Sequence, residues 1–308
     1  MVSFTSRLRR LLPLAAIVLV GLAWTAGAGA AKESGFPLKI KAANGEVTIP
    51  SRPSRIVSLS PASTQDLYAA GAGKQVVAVD SYSTYPKQAP VTSLSGYSPN
   101  VEAIAKYRPD LVVVYLDNDD IVGHLEQLHI PVLLEPPAAN LNGAYAQLEQ
   151  LGQATGHASG AQRVVASLRR GVSAIVRSVP RPKKPVSVYT EIGTPGFYSV
   201  TSDTFMGQIL TLFGLHNIAD KAGGSYPQLS AEYVIASNPS LIILADTVCC
   251  GQTAATVATR PGWKNIAAVR TGAVLAVNDS IASQWGPRIV LFIQAVADEL
   301  KKLEATAK

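Results

Sequence analysis

Two stretches of the chain repeat one pattern, and this repeat decides the predicted fold. The first reads Pro99-Asn100-Val101-Glu102-Ala103-Ile104, then Arg108-Pro109-Asp110, then Leu111-Val112-Val113-Val114. The second reads Leu229-Ser230-Ala231-Glu232-Tyr233-Val234, then Asn238-Pro239-Ser240, then Leu241-Ile242-Ile243-Leu244. In each copy a glutamate stands seven residues before the proline. Each copy therefore predicts a short helix with Glu in its first turn, ended by Pro and followed by a strand buried on both faces.

Similar elements are predicted around both copies. A strand at 55–59 and a helix at 65–70, capped by Ser63 or Thr64, precede the first copy. A strand at 186–189 and a helix at 204–213 precede the second. A helix and a strand follow each copy, at 124–128 and 132–134 and again at 263–269 and 274–277. The order predicts an α/β protein of two similar lobes, at 53–142 and 185–308, each with a mainly parallel sheet flanked by helices.

The segment between these lobes is predicted to be helical. Over residues 144–179 the apolar positions recur at helical spacing, and Gly152 and Gly156 divide the segment into two helices. The second, at about 159–178, contains no proline. We therefore expect one long, rigid helix to join the lobes and to limit hinge motion.

The first 31 residues are typical of an export signal. Arg7, Arg9 and Arg10 precede an apolar run, and small residues follow as far as Ala31. We expect cleavage near Ala30 or Ala31 and a soluble extracytoplasmic protein; the alternative is an uncleaved membrane anchor. These arginines supply three of the six net positive charges, and the remaining +3 is a weak signal for nucleic-acid binding.

The sequence predicts no catalytic or metal centre. The four histidines are dispersed, and none of the common nucleophile or phosphate-binding motifs is present. The acidic loop at 117–120 is interpreted as solvated, with cation binding as the alternative. The adjacent Cys249 and Cys250 are too close for an ordinary disulfide. A free pair, a strained vicinal disulfide and a metal or cofactor role remain open for them.

Aromatic residues are concentrated in the loops that adjoin the predicted strands. Ligands of open α/β sheets bind where the parallel strands end, so we expect an aromatic-lined cleft between the lobes for a large, flat or bulky ligand. The residues concerned are Tyr82, Tyr85, Tyr97, Tyr115, Phe197, Tyr198, Tyr226 and Trp285.

Several of these stretches resemble one known family. The segments at 55–64, 80–86, 101–112 and 226–232 resemble the helical-backbone substrate-binding proteins of ABC importers, over about residues 52–300. That family takes up cobalamin, haem and iron siderophores, and the pattern around Tyr82, Tyr85 and Tyr226 is most similar to its periplasmic cobalamin binders. The resemblance implies the class III periplasmic-binding-protein fold, a non-enzymatic role and a permease partner. It implies no cofactor beyond the ligand, and we expect a monomer that binds no nucleic acid.

The resemblance also assigns roles to individual residues. Glu102 and Glu232 match the glutamates that dock on permease arginines. Asp279 and Arg288 lie in the segment that touches corrin amides. The implied ligand residues are Tyr82, Tyr85, Tyr97, Tyr115, Phe197, Tyr226, Asp279, Trp285 and Arg288. Tyr97, Tyr115 and Tyr226 stand where cobalamin binders often carry Trp, so a haem or ferric-siderophore ligand stays open beside a cobalt corrinoid. A metal-dependent enzyme on a similar scaffold is the remaining alternative.

Overall fold

The computed structural model describes residues 35–180 and 184–306. The predicted export signal lies outside these residues. Within the described part of the chain, no helix is both long enough and apolar enough to span a bilayer.

The N-terminal lobe contains a four-stranded parallel sheet. A short antiparallel hairpin of β1 (Leu38–Ala42) and β2 (Gly45–Ile49) precedes it. The sheet strands are β3 (Ile56–Leu59), β4 (Val76–Val79), β5 (Leu111–Val114) and β6 (Val132–Leu134), in the order β4-β3-β5-β6. All four residues of β5 are buried, as predicted for a strand covered on both faces.

Three helices connect these strands, namely α1 (Pro61–Ala70), α2 (Val101–Ala105) and α3 (Ile121–Gln127). The predicted start of α1 was wrong. The helix begins four residues earlier, because the Ser60 side chain accepts the Ser63 amide and Pro61 takes the first helical position. Asn100 caps α2, because its side chain accepts the Ala103 amide.

Two helices lead from the first lobe to the second. They are α4 (Leu141–Ala154) and α5 (Ala158–Arg177). The twenty residues of α5 span about 30 Å. Its first half packs on α1 and α4 through Ala161 and Val165, and Val172 in its second half joins the C-terminal core. Gly160 allows the close approach to α1, because a Cβ there would overlap the carbonyl oxygen of Ala70.

The C-terminal lobe repeats this arrangement. Its strands are β7 (Ser187–Gly193), β8 (Tyr198–Ser199), β9 (His216–Asn217), β10 (Leu241–Leu244) and β11 (Val274–Ala276). Its helices are α6 (Phe205–Thr211), α7 (Ala231–Ser237), α8 (Ala254–Ala258), α9 (Ala267–Thr271), α10 (Asp279–Ala282) and α11 (Ile289–Thr306). The strand order is β11-β10-β7, with β9 parallel and β8 antiparallel on the other side of β7.

The two sheets therefore match strand for strand. β6-β5-β3-β4 in the first corresponds to β11-β10-β7-β9 in the second. The repeat also extends to the backbone, since the residue before the shared proline has positive φ in both copies, 47° at Arg108 and 44° at Asn238. The two-lobed α/β fold is as the repeat predicts, whereas the lobe boundaries at 53–142 and 185–308 stay predictions.

The helix predicted at 263–269 is interrupted. A 3-10 turn at Trp263–Asn265 is separated from α9 by Ile266, whose backbone is extended. Trp263 is fully buried and packs edge-on against Tyr189, at 5.9 Å between ring centroids. Burial of this ring holds the turn in place, although the apolar spacing alone is typical of a helix.

Candidate ligand-binding site

Three tyrosines of the N-terminal lobe come together where the parallel strands end, here called the carboxyl edge of the sheet. Tyr82 follows β4, Tyr115 follows β5, and Tyr97 lies in the loop between these strands. Burial raises the pKa of the Tyr115 phenol, and the nearby Asp80 carboxylate and the Tyr97 and Tyr82 phenols raise it further. Tyr115 is therefore a neutral phenol, within electrostatic range of both other tyrosines.

Local packing holds Tyr97 beside Tyr115. A Cβ at Gly96 would overlap the Leu59 carbonyl and lie 2.9 Å from the Tyr115 ring, so only glycine lets the chain pass there. The Asn118 side chain donates to the Tyr97 carbonyl at 2.7 Å. The Tyr97 side chain itself is 68% exposed.

A buried polar network supports the loop that carries Tyr82. Asp80 accepts the Ser83 hydroxyl and the Tyr82 amide, and burial raises the pKa of this carboxyl. The Ser83 hydroxyl lies 3.0 Å from the Thr64 hydroxyl on α1. The anchored loop leaves the Tyr82 side chain 73% exposed.

Tyr226 occupies a comparable place in the C-terminal lobe. Its segment pairs with β8 and the residues after it, since Ser199 donates to Pro227 O at 2.9 Å and Thr201 donates to Ser225 O at 3.0 Å. The Tyr226 side chain is 60% exposed. Like Tyr82 and Tyr97, it offers an open ring face held by an ordered backbone.

Phe197 lies in a different environment from the exposed tyrosines. It is partly buried against the C-terminal core, with its ring centroid 5.4 Å from that of Trp263. The Arg260 guanidinium stacks over Trp263 at 4.5 Å and over Phe197 at 5.3 Å. Phe197 thus belongs to a packed aromatic–cation cluster next to β8.

Arg260 is the centre of a buried network that the sequence did not predict. Both of its terminal nitrogens donate to Glu191 at 2.6 Å, and one also donates to the Gln252 side chain. Glu191 is fully buried and also accepts the Tyr189 hydroxyl. Asp246 lies beside this pair, and burial, followed by the Glu191 charge, raises its pKa to about 7. A Glu in a strand and an Arg 69 residues away carry no spacing that predicts their pairing.

Asp279 holds the loop that carries the two cysteines. Its carboxylate accepts the amides of Val248 at 3.0 Å and Cys249 at 2.7 Å. Cys249 and Cys250 are free thiols, and burial raises the pKa of the Cys249 thiol to about 12, with help from Cys250 and Asp279. Asp279 therefore has a structural role in this loop, and its predicted contact with ligand stays a prediction.

Tyr85 and Arg288 lie together at the seam between the lobes, and Trp285 lies in a neighbouring hollow. The Arg288 guanidinium stacks 4.3 Å above the Tyr85 ring, which joins the segment before α11 to the loop after β4. Trp285 faces α1, α4 and α5 in a small hollow that includes the buried Asp66. Arg288 and Tyr85 thus contact each other across the lobes, and their predicted contacts with ligand stay predictions.

Glu102 and Glu232 occupy equivalent places on the two lobes. Each lies in the first turn of a short helix, α2 or α7, and each is exposed. The helices are capped by Asn100 and Ser230, whose side chains accept backbone amides at 2.8 and 3.1 Å. Neither glutamate is a cap residue.

The structure thus brings Tyr82, Tyr97 and Tyr115 together and pairs Tyr85 with Arg288. It places Tyr226 on the other lobe. Within residues 35–180 and 184–306, no group of three or more His, Cys, Asp or Glu side chains is arranged to hold a metal ion. The tyrosines form an aromatic surface with hydroxyl groups that is open to a ligand.

The paired lobes, the helical connection and the aromatic carboxyl edges define a class, the two-lobed solute-binding proteins of the class III fold. Comparison with known proteins then gives the family. Residues 56–280 match the periplasmic binding protein family, and the chain belongs to it. Its members are solute-binding proteins.

Two curated relatives and two solved structures show how similar this chain is to known proteins. The chain is 31% identical to an uncharacterized ABC transporter substrate-binding lipoprotein of Bacillus subtilis, over 86% of each chain. It is 32% identical to a cobalamin-binding protein of Halobacterium salinarum, over 85% of this chain and 74% of the relative.

Two structures with nearly equal likeness bind different ligands. The vitamin B12-binding protein of Vibrio cholerae has a TM-score of 0.71 at 23% identity, covering 83% of this chain and 99% of that one. A heme-binding protein of Roseiflexus has a TM-score of 0.72 at 22% identity, covering 81% and 98%. At these identities the likeness shows the fold alone.

Proposed function

We propose that this protein captures a corrinoid in a cleft between its lobes and delivers it, as a monomer outside the cytoplasm, to an ABC importer. The observation that carries the proposal is the set of exposed tyrosines at the carboxyl edges. Large aromatic rings that are exposed to solvent, on anchored loops, are suited to cover a wide ligand. The cobalamin-binding relative and the predicted export signal support the same role.

The environment of the Tyr115 phenol favours a corrinoid. Tyr115 has a raised pKa, and its neighbours Asp80, Tyr97 and Tyr82 bring no positive charge that would stabilise a phenolate. Neutral phenols can stack on a macrocycle and exchange hydrogen bonds with its peripheral amides. They need no bond to the metal of the ligand.

Haem or a ferric siderophore is the second candidate. Exposed phenols such as Tyr82 and Tyr97 can ligate ferric iron once they lose their protons. Such binding would produce a phenolate-to-iron absorption band, whereas stacking on a corrinoid would shift the bands of the corrinoid itself.

An optical titration separates these candidates. The protein is titrated with cyanocobalamin, haemin and a ferric siderophore, and each ligand is assayed for chemical change. We expect saturable one-to-one binding of cyanocobalamin without turnover. If only haemin or the siderophore binds saturably, the ligand of this protein is an iron chelate and not a corrinoid. Turnover of a ligand would favour an enzyme.

We propose further that Glu102 and Glu232 dock the two lobes on the permease. Two exposed carboxylates at equivalent positions suit a partner with two similar halves, and rim charges of this kind govern encounter and orientation. The alternative is a helix-dipole role, which is worth about 0.3–1 kcal/mol for a first-turn glutamate.

The double variant Glu102→Ala/Glu232→Ala tests the docking. We expect parental ligand affinity and melting temperature, weaker association with the permease and slower uptake. Glu126→Ala, which removes an exposed glutamate from α3, is the matched control. Parental uptake in the double variant would exclude docking, and a loss of stability would favour the dipole role.

A further inference from the structure

One segment of the C-terminal lobe, residues 284–288, lies across α1 of the N-terminal lobe, and we call it the seam segment. The Gln65 side chain on α1 donates to the Gln284 side chain. A Cβ at Gly286 would lie 3.1 Å from the Gln65 Cβ and 3.3 Å from the Ala62 carbonyl oxygen, so the segment passes close to α1 at this glycine. Two of the predicted ligand residues belong to the seam segment, so its packing on α1 fixes their position.

Two buried carboxyl groups lie beneath the seam segment. Asp66 on α1 is 2% exposed and lines a small hollow together with Tyr145 of α4 and Trp285. Glu135, directly after β6, is 3% exposed and lies within electrostatic range of Asp66. Asp66 Oδ1 and Glu135 Oε1 are buried and have no hydrogen-bond partner among the described residues. The fold thus encloses two acidic groups whose charged forms would be poorly solvated.

The surroundings of this pair supply no compensating cation. The titratable or charged groups on the elements around Asp66 are Glu135 after β6, Tyr145 on α4, Arg169 on α5 and Arg288 in the seam segment. Arg169 stacks 4.5 Å above the Tyr145 ring, and Arg288 stacks on Tyr85. No salt bridge in the described part of the chain includes Asp66 or Glu135.

Burial therefore decides the protonation of both groups. Burial raises the pKa of Glu135 to about 8, and burial followed by the Glu135 charge raises the pKa of Asp66 well above its ordinary value. Both carboxyl groups are neutral at neutral pH. As the pH rises through 8, a carboxylate forms that has no partner and needs water. Trp285 lines the hollow beside Asp66, so hydration there requires the seam segment to move.

We propose that Asp66 and Glu135 form a pH-dependent switch that controls how the seam segment packs on α1. While both carboxyl groups are neutral, the hollow stays closed and Trp285 and Arg288 keep their positions. When the pair becomes charged, water enters the hollow and the seam segment loosens. Because Trp285 and Arg288 are predicted ligand residues, ligand affinity falls as well. That last consequence rests on the proposed function, whereas the movement of Trp285 does not.

Acrylamide quenching of tryptophan fluorescence reports on the seam segment without any ligand. The contribution of Trp285 is the difference between the parent and Trp285→Phe, measured from pH 6 to 9.5 on protein that circular dichroism shows to be folded. We expect this quenching to rise as the pH passes about 8. The double variant Asp66→Asn/Glu135→Gln keeps both groups neutral and should abolish the rise. Glu126→Gln, which neutralises an exposed glutamate on α3, is the matched control and should retain it.

Cyanocobalamin binding is then measured over the same pH range. We expect about tenfold weaker binding to the parent at pH 9 than at pH 7, because one proton must be bound again before the ligand, and no such change in the double variant. Asp66→Ala, which deletes the carboxyl group, takes the place of Asp66→Asn if the amide lowers the melting temperature.

Two results would overturn the switch. They are quenching of Trp285 that does not depend on pH in the parent, and the same pH response in the parent and the double variant. Binding of cyanocobalamin that does not depend on pH would overturn the coupling to the ligand. If Trp285 responds as expected but cyanocobalamin does not bind at any pH, the switch is supported and the corrinoid function is refuted.

Discussion

Removal of Arg260 is the sharpest test of how the C-terminal lobe is held together. Arg260→Met keeps an unbranched side chain and deletes its charge. In the parent the Arg260 side chain is 12% exposed and its partner Glu191 is 0% exposed, so the variant leaves a buried carboxylate without its cation. Breaking a buried ion pair from one side costs about 3–5 kcal/mol. At about 2–4 °C per kcal/mol for a chain of this size, the melting temperature should fall by roughly 6–20 °C.

The assay is thermal and urea unfolding of four proteins in a double-mutant cycle. Glu191→Gln keeps an acceptor for Tyr189 and removes the charge, so the double variant with Arg260→Met should recover much of the loss. Lys39→Met is the control, because it breaks an ion pair of the same 2.6 Å length whose two side chains are 68% and 61% exposed. We expect no measurable shift there. If Arg260→Met melts like Lys39→Met, or if the two changes at the buried pair are additive, the reasoning is wrong.

Three further outcomes are expected. Tyr82→Ala and Tyr226→Ala should each weaken ligand binding by about 1–3 kcal/mol, or 5- to 150-fold, because aromatic contact with the ligand is lost. The control Leu128→Ala changes an exposed apolar residue near the other edge of the sheet and should not weaken binding. If both Tyr variants bind ligand with parental affinity in an optical titration, these tyrosines do not belong to the site. Replacing Cys249 and Cys250 by Ser should change the melting temperature by no more than about 3 °C, because a disulfide that closes so short a loop adds little stability. A larger fall would assign the pair a structural role, and loss of ligand binding would show that the loop reaches the ligand. Glu135 is buried, which raises its pKa from 4.5 to about 8, so the free energy of unfolding should fall as the pH rises from about 4.5 to 8, by roughly 5 kcal/mol in total, and level off above pH 8. In urea unfolding between pH 5 and 9, Glu135→Gln should flatten this dependence of stability on pH. If the stability of the variant and of the parent changes with pH in parallel, Glu135 is not the group responsible.

Most of the fold could be predicted from local patterns. The shared Glu-to-Pro interval predicted the strand–helix order of both lobes, because a buried strand and a proline-terminated helix each leave a mark within a few residues. The error at the start of α1 has a local cause as well. Pro61 interrupts the apolar pattern, yet the first turn of a helix accepts proline.

The site was only partly predictable. Tyr82, Tyr97 and Tyr115 could be assigned to one edge, because parallel strands end on the same side of a sheet. The open exposure of Tyr82 and Tyr97, and the glycine that lets Tyr97 pass beside Tyr115, depend on packing. The same holds for Phe197, which follows a strand as the other aromatics do but packs on Trp263.

The amino-acid sequence by itself determined the class of fold, the two-lobed arrangement and the loops that carry the aromatic residues, since these follow from periodicity, capping and proline positions along the chain. Only the tertiary structure decided the pairing of Glu191 with Arg260 and of Tyr85 with Arg288. Each pair joins segments that are far apart in sequence, 69 residues in the first case, and the contact exists because the sheets and α5 set the distance between them. Local chemistry leaves such distances undetermined, so these contacts arise only when the lobes are assembled.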